Sequence, residues 1–190
     1  MKKFSEYTKE QKKSFYKFLI IFCSIIVVAV IVDQITKIIF HNIFETRTKP
    51  IRIIGDWLVL TFTTNPGGMG GLLAGKHTLF FIVTIVGLPL FVFLTFWTKK
   101  DTYLGAIGLA VVVGGIIGNA IDRAFLGTGF FNGHVRDFIS AGEFPIFNIA
   151  DSCITVGIII YAIGILFVGP GAIFRKKEQA IDEKVESSEE

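Results

Sequence analysis

Three aspartates stand where an otherwise apolar chain has little reason to carry them. Asp122 lies in GGIIGNAIDR, Asp137 in GHVRDF, and Asp151 in FNIADSCITVG. Amides accompany them: Asn65 opens NPGGMGG, Asn119 precedes Asp122 by three residues, and Asn148 precedes Asp151 by three. Two carboxylates in one desolvated site cannot both ionise cheaply, so they share a proton and one pKa rises. The ionised partner can take a proton from water while the protonated one hydrogen-bonds a carbonyl. That is general acid–base hydrolysis of a peptide bond without a covalent intermediate. On the residues alone, Asp122, Asp137 and Asp151 are three candidates for two places.

Other chemistries find little support. His41, His77 and His134 are scattered through loops without metal-ligand spacing, so solvated loop positions are their expected role and no metal or cofactor is expected. The chain has no GxSxG, HExxH or phosphate-loop motif. Ser152 adjoins Asp151 without an obvious base and reads as helix-start polarity. Cys23 and Cys153 fall inside apolar runs, as small fillers rather than a disulfide or zinc ligands.

The elements that must position these groups follow from composition. With 52% hydrophobic and only 18% charged residues in 190, and a mean hydropathy of +0.62, the chain is greasier than soluble domains are. A hydrocarbon core of ~30 Å needs about 20 mostly apolar residues of helix. Four stretches qualify, 16–38, 79–97, 103–124 and 147–169, and all must be helices because an open sheet edge leaves backbone groups unpaired in lipid. The first run lacks a small-x-small cleavage site and ends in VDQITK, so it reads as a retained span. Lys2, Lys3, Lys9, Lys12, Lys13 and Lys17 precede it, Lys99 and Lys100 link spans two and three, and Arg175, Lys176 and Lys177 follow span four. Positive flanks stay cytoplasmic, which puts both termini inside and the loops 40–78 and 125–146 outside.

The outer segment 41–78 reads as a cap. Ile51–Ile54 and Leu58–Thr64 are β-prone runs around Gly55-Asp56, the pattern of a small hairpin or sheet, with Trp57 suited to the interface. NPGGMGGLLAG then places five glycines in eleven residues, a loop able to turn tightly or approach a ligand. Gly114 and Gly118, four apart, suit close helix packing. The tail 175–190 is charged and solvated. The expected fold is an all-α, four-span single membrane domain with a small extracytoplasmic β-sheet and loop cap, and both termini cytoplasmic.

On this topology Asp33, Gln34, Lys37, Asn65, Asn119, Asp122, Arg123, Asp137, Asn148 and Asp151 all map to the outer leaflet. Charges in a span cost a few kcal/mol and should face protein or a wet cavity. Their convergence reads as a polar pocket opening outward. A proton-coupled transporter would instead space ionisable groups through the bilayer, and here the cytoplasmic halves of the spans are apolar. A non-catalytic lipopeptide-binding scaffold is a third reading, separated from the first by a cleavage assay.

VDQITK, GGIIGNAIDR, HVRDF and FNIADSCITVG together resemble the motif set of bacterial lipoprotein signal peptidases (signal peptidase II), over residues 30 to 160. The resemblance implies an aspartic membrane endopeptidase of the bacterial inner membrane. It would remove signal peptides from diacylglyceryl-modified prolipoproteins on the N-terminal side of the lipidated cysteine, as a monomer among membrane lipids and without nucleic acid. It implies Asp137 and Asp151 as the catalytic pair. Asp122 and Arg123 become an acid–base pair holding span three near the site, with Asp33 and Lys37 supporting from span one. Asn65, Gly67, Asn119, Asn148 and Ala150 become substrate-binding or supporting positions. This chain departs from the family pattern in having Gly70 where a Phe is usual, an added LGTGFFNG before Asp137, a shorter stretch from Asp137 to Asp151, and Arg136 beside Asp137. Strand alternation is expected to send Arg136 to the face opposite Asp137.

Overall fold

The computed structural model describes residues 7–67, 77–98, 102–129, 131–169 and 172–174. The glycine-rich loop beyond Gly67, the Lys99–Lys100 link and the tail from 175 lie outside the described residues, as does the side chain of His77. Among the described residues four helices are long and apolar enough to cross a bilayer. They are α1 (Lys9–Thr46), α2 (His77–Thr98), α3 (Tyr103–Phe125) and α4 (Ile149–Phe167).

The first helix runs well past the expected 16–38. Its start is fixed by a capping box in which Thr8 and Gln11 satisfy each other's backbone N–H. It ends at Arg47, shortly before Pro50, whose ring disfavours helix in the preceding residue. Thirty-eight residues rise about 57 Å, more than a hydrocarbon core of ~30 Å, so α1 overshoots the core. Apolar length marks a span but not where its helix stops.

Helix α3 is the hub, packed against the other three, and its buried stripe includes Ala106, Leu109, Ala110, Val112 and Val113. Its seam with α4 is built on glycine. A Cβ on Gly157 would lie 2.6 Å from the Gly108 carbonyl oxygen, so the two backbones meet directly. Gly114 faces Ala29 of α1, while Gly118 lies against both Asp33 of α1 and Ala150 of α4. Outward faces of α1, α2 and α4 stay apolar and exposed, for example Val28, Val86 and Ile159, as lipid contact requires. At the end of the bundle away from the polar residues, Phe18, Phe22 and Phe96 pack with Ala106 and Ala110.

A three-stranded antiparallel sheet caps the other end, in the order β1 (Ile51–Ile54), β2 (Leu58–Asn65), β3 (Val135–Ala141). The expected hairpin is β1–β2, turning at Gly55 with φ +52°, a conformation glycine adopts without strain. The third strand comes from the second loop, beyond the 41–78 segment expected to form the cap, and residues 41–46 belong to α1 instead. In the β2–β3 register Thr63 pairs with Asp137, Thr64 with Arg136 and Asn65 with Val135. Asn65 and Asp137 therefore share one face, and Arg136 takes the other, as alternation requires.

Candidate active site

Strand β3 and helix α4 are joined by a tight return. Phe147 accepts from the backbone N–H of both Phe138 and Ile139 and donates to the Ile139 carbonyl, with Gly142 at φ +55° making the turn. The return sets Asn148 beside Asp137. Asn148 is also the N-cap of α4: its side-chain oxygen accepts from the Asp151 N–H at 3.0 Å, and Asp151 accepts from the Asn148 N–H at 3.2 Å.

One buried amide thus touches both acids. Asn148 Nδ2 donates to Asp137 Oδ1 at 2.6 Å, while the other end of the same side chain holds the turn that carries Asp151. Asn65 Nδ2 donates to Asp137 Oδ2 at 2.9 Å, and the Gly67 N–H fixes that amide by donating to Asn65 Oδ1. Asn119 Nδ2 donates to Asp151 Oδ1 at 2.8 Å, and its own oxygen accepts from Lys37 Nζ at 3.0 Å and from Asn148 Nδ2 at 3.1 Å. Asp137 and Asp151 line a common cavity of about 190 Å³ with Asn65, Asn119 and Arg123, walled by Phe144, Pro145 and Phe147.

Asp137 is 1% exposed. Burial pushes its pKa up to about 6 from the ordinary carboxylate value, and the charge of Asp151 pushes the same way. The hydrogen bonds from Asn65 and Asn148 and the Lys37 charge oppose that rise.

Behind this cavity sits a buried cluster of two acids and two cations. Lys37 Nζ reaches Asp33 Oδ2 at 2.8 Å, Asp122 Oδ2 at 3.5 Å and the Asn119 oxygen, so its three donors meet three acceptors. Asp33 Oδ1 accepts from the Ala150 N–H at 2.9 Å, which ties the first turn of α4 to α1. Ala150 contributes that N–H, and its fully buried methyl packs beside Gly118. Asp122 accepts from Arg136 Nη2 at 2.8 Å, Nε at 3.1 Å and backbone N–H at 3.0 Å.

The expected Asp122–Arg123 pair does not form. Adjacent helical residues point about 100° apart, so Asp122 turns to Lys37 and Arg136 while Arg123 turns to the cavity. The Arg123 guanidinium lies 4.4 Å from the Phe80 ring centre on α2 and donates to the Asn119 carbonyl at 3.4 Å. Two further residues complete the cluster: Gln34, expected in the polar pocket without a role, and Arg136, which was not expected there. Arg136 neutralises Asp122, and Gln34 bridges the Arg136 guanidinium, Asp33, Asp122 and the Gly118 carbonyl. The signals were there: Gln34 adjoins Asp33 in VDQITK, and alternation from Asp137 aims Arg136 at α3. Ser152 Oγ donates to the Asn148 carbonyl, a helix-start contact.

Residues 25–167 match the family model for Signal peptidase (SPase) II. The chain belongs to this family. It is a multi-pass membrane protease. The lipoprotein signal peptidase of Staphylococcus carnosus is 35% identical over 160 residues, covering 82% of this chain and 95% of that protein. That of Caldicellulosiruptor bescii is 33% identical over 154 residues, covering 81% and 96%. Two solved bacterial membrane enzymes share the fold. One has 36% identity and a TM-score of 0.64, covering 75% of this chain and 85% of the other. The second has 37% identity and a TM-score of 0.59, covering 75% and 90%. As a family member, the chain has the mixed architecture just described: four long apolar helices and a small antiparallel sheet.

Proposed function

We propose that this enzyme removes signal peptides from diacylglyceryl-modified prolipoproteins, cutting on the N-terminal side of the lipidated cysteine, with Asp137 and Asp151 as the catalytic pair. The observation that carries the reading is the single amide of Asn148, which holds Asp137 by its nitrogen and the Asp151 turn by its oxygen at one shared cavity.

The environments of the two acids support distinct roles. Asp151 sits in the first turn of α4 and accepts from the Asn119 amide, whose oxygen is held by Lys37. Asp137 is raised to about 6 and more readily holds a proton. The raised Asp137 is assigned as the general acid, which leaves its partner Asp151 as the general base. Water gives a proton to Asp151 as its oxygen bonds the scissile carbonyl carbon, and Asp137 protonates the carbonyl oxygen. On collapse, Asp151 passes its proton to the leaving nitrogen and Asp137 regains its own as C=O reforms. The C–N bond breaks, one water is consumed and both acids return to their starting states. Asn65, Asn119 and Asn148 orient the pair without adding charge, and Gly67 orients Asn65. Arg123 lines the cavity as a donor for substrate backbone.

The signal helix and its diacylglyceryl group reach the cavity from the bilayer. The basic flanks favour both termini in the cytoplasm and the site at the outer surface of the inner membrane. In this proposal the enzyme acts as a monomer built as a single membrane domain.

The test is cleavage of a diacylglyceryl-modified precursor and its unmodified twin by the purified protein, with product mass locating the cut. The modified precursor is expected to be cut immediately before its lipidated cysteine and the unmodified one to survive. Equal cleavage of both removes lipid recognition from the reading, and cleavage of neither favours a binding scaffold.

A further inference from the structure

The sheet has a second side, and it carries a larger cavity than the one at the acids. This space of about 590 Å³ lies where Thr64 and Arg136 face away from Asp137, closed by His41 of α1 and by Thr128, Asn132 and His134. Among the described residues no carboxylate lines it. Arg136 lines it with Nε and Nη2 held by Asp122 and Gln34, and its Nη1 makes no hydrogen bond among the described residues. The Thr64 and Thr128 hydroxyls, the Asn132 amide and the His41 ring line the rest of it and offer polar hydrogen-bonding groups. Arg136 is 12% exposed, held by a bidentate contact that pre-organises its free edge.

The wall is a built feature. The Gly133 N–H donates to the Arg123 carbonyl at 2.8 Å, and Gly127 lies so close to the Asn132–Gly133 backbone that a Cβ there would stand 2.6 Å from it. Beside the cavity, Phe125 is 75% exposed and Leu126 47% exposed at the end of α3, apolar side chains that suit lipid rather than water.

We propose that this cavity binds the phosphodiester headgroup of an anionic membrane lipid. A guanidinium held in place from behind by Asp122, with hydroxyl and amide groups beside it and no carboxylate in the lining itself, matches a phosphodiester anion, and the apolar rim at a span end favours a lipid over a soluble anion. The site does not share its lining with the acids' cavity and stands whether or not they cut prolipoproteins.

The test uses delipidated full-length protein and native mass spectrometry. Phosphatidylglycerol, phosphatidylcholine with the same acyl chains, and inorganic phosphate are supplied separately. The expected result is retention of phosphatidylglycerol about tenfold tighter than phosphatidylcholine, with that preference lost in His41→Ala/His134→Ala/Thr128→Val at unchanged melting temperature. Asn132→Leu is the independent variant if the triple change unfolds. Equal retention of the two lipids, an undiminished preference in the folded variant, or binding of phosphate without lipid discrimination overturns the proposal.

Discussion

Asn148 does two jobs with one side chain, capping α4 and donating to Asp137, so the geometry of the two acids depends on a residue with no ionisable group. The acids and amides were legible at this scale because each is costly in an apolar chain. Which two acids form the proposed pair was not legible from spacing alone. Asp122 and Asp151 have similar helical surroundings in sequence, and what separates them is the partner each meets across the fold: Arg136 and Lys37 for one, the open cavity for the other. The raised pKa of Asp137 has a consequence with a definite sign. Because its folded value, about 6, lies above its unfolded one, it adds stability at low pH that is lost as pH rises through about 6. In thermal melts, that loss between about pH 4 and pH 7 is expected to be smaller for Asp137→Asn than for wild type. The same ionisation removes the proposed acid, so kcat/KM of the wild type should fall through the same range.

At the scale of elements, the four spans were readable because apolar length leaves few alternatives in lipid, and α2 and α3 start and stop within two residues of the expected bounds. Strand alternation around Asp137 was readable, but that β3 joins the cap was not, since its pairing with β2 joins residues far apart in sequence. The α3–α4 seam carries the element-scale prediction. Gly157→Val would drive a side chain into the Gly108 carbonyl, where backbone cannot yield, and should cost about 1–3 kcal/mol or more, read as a lowered melting temperature. Asp122 carries another. Asp122→Asn strips charge from a buried cluster that includes Arg136 and Lys37, so folded yield should drop by severalfold, while the molecules that do fold keep measurable cleavage. A well-folded, inactive Asp122→Asn enzyme would instead give Asp122 a place at the reacting bond.

For the whole molecule, orientation rests on the basic flanks and architecture on the meeting of α1, α3, α4 and the sheet at one end of the bundle. The sequence pointed to that meeting through the shared level of its polar residues. It did not disclose that Asp33 and Gln34 of α1 and Arg136 of β3 tie those elements together, because the contacts join positions about 100 residues apart. In a cysteine-free background, a membrane-impermeant thiol reagent added to intact cells should label Asp56→Cys and spare Lys9→Cys; the reverse pattern would invert the topology. The paired action of the carboxylates is tested most directly by the rates at which purified, folded Asp137→Asn and Asp151→Asn variants cleave a diacylglyceryl-modified precursor. Both should fall below wild type by about 10²–10⁴-fold. Either variant cutting at the wild-type rate would contradict a shared acid–base pair.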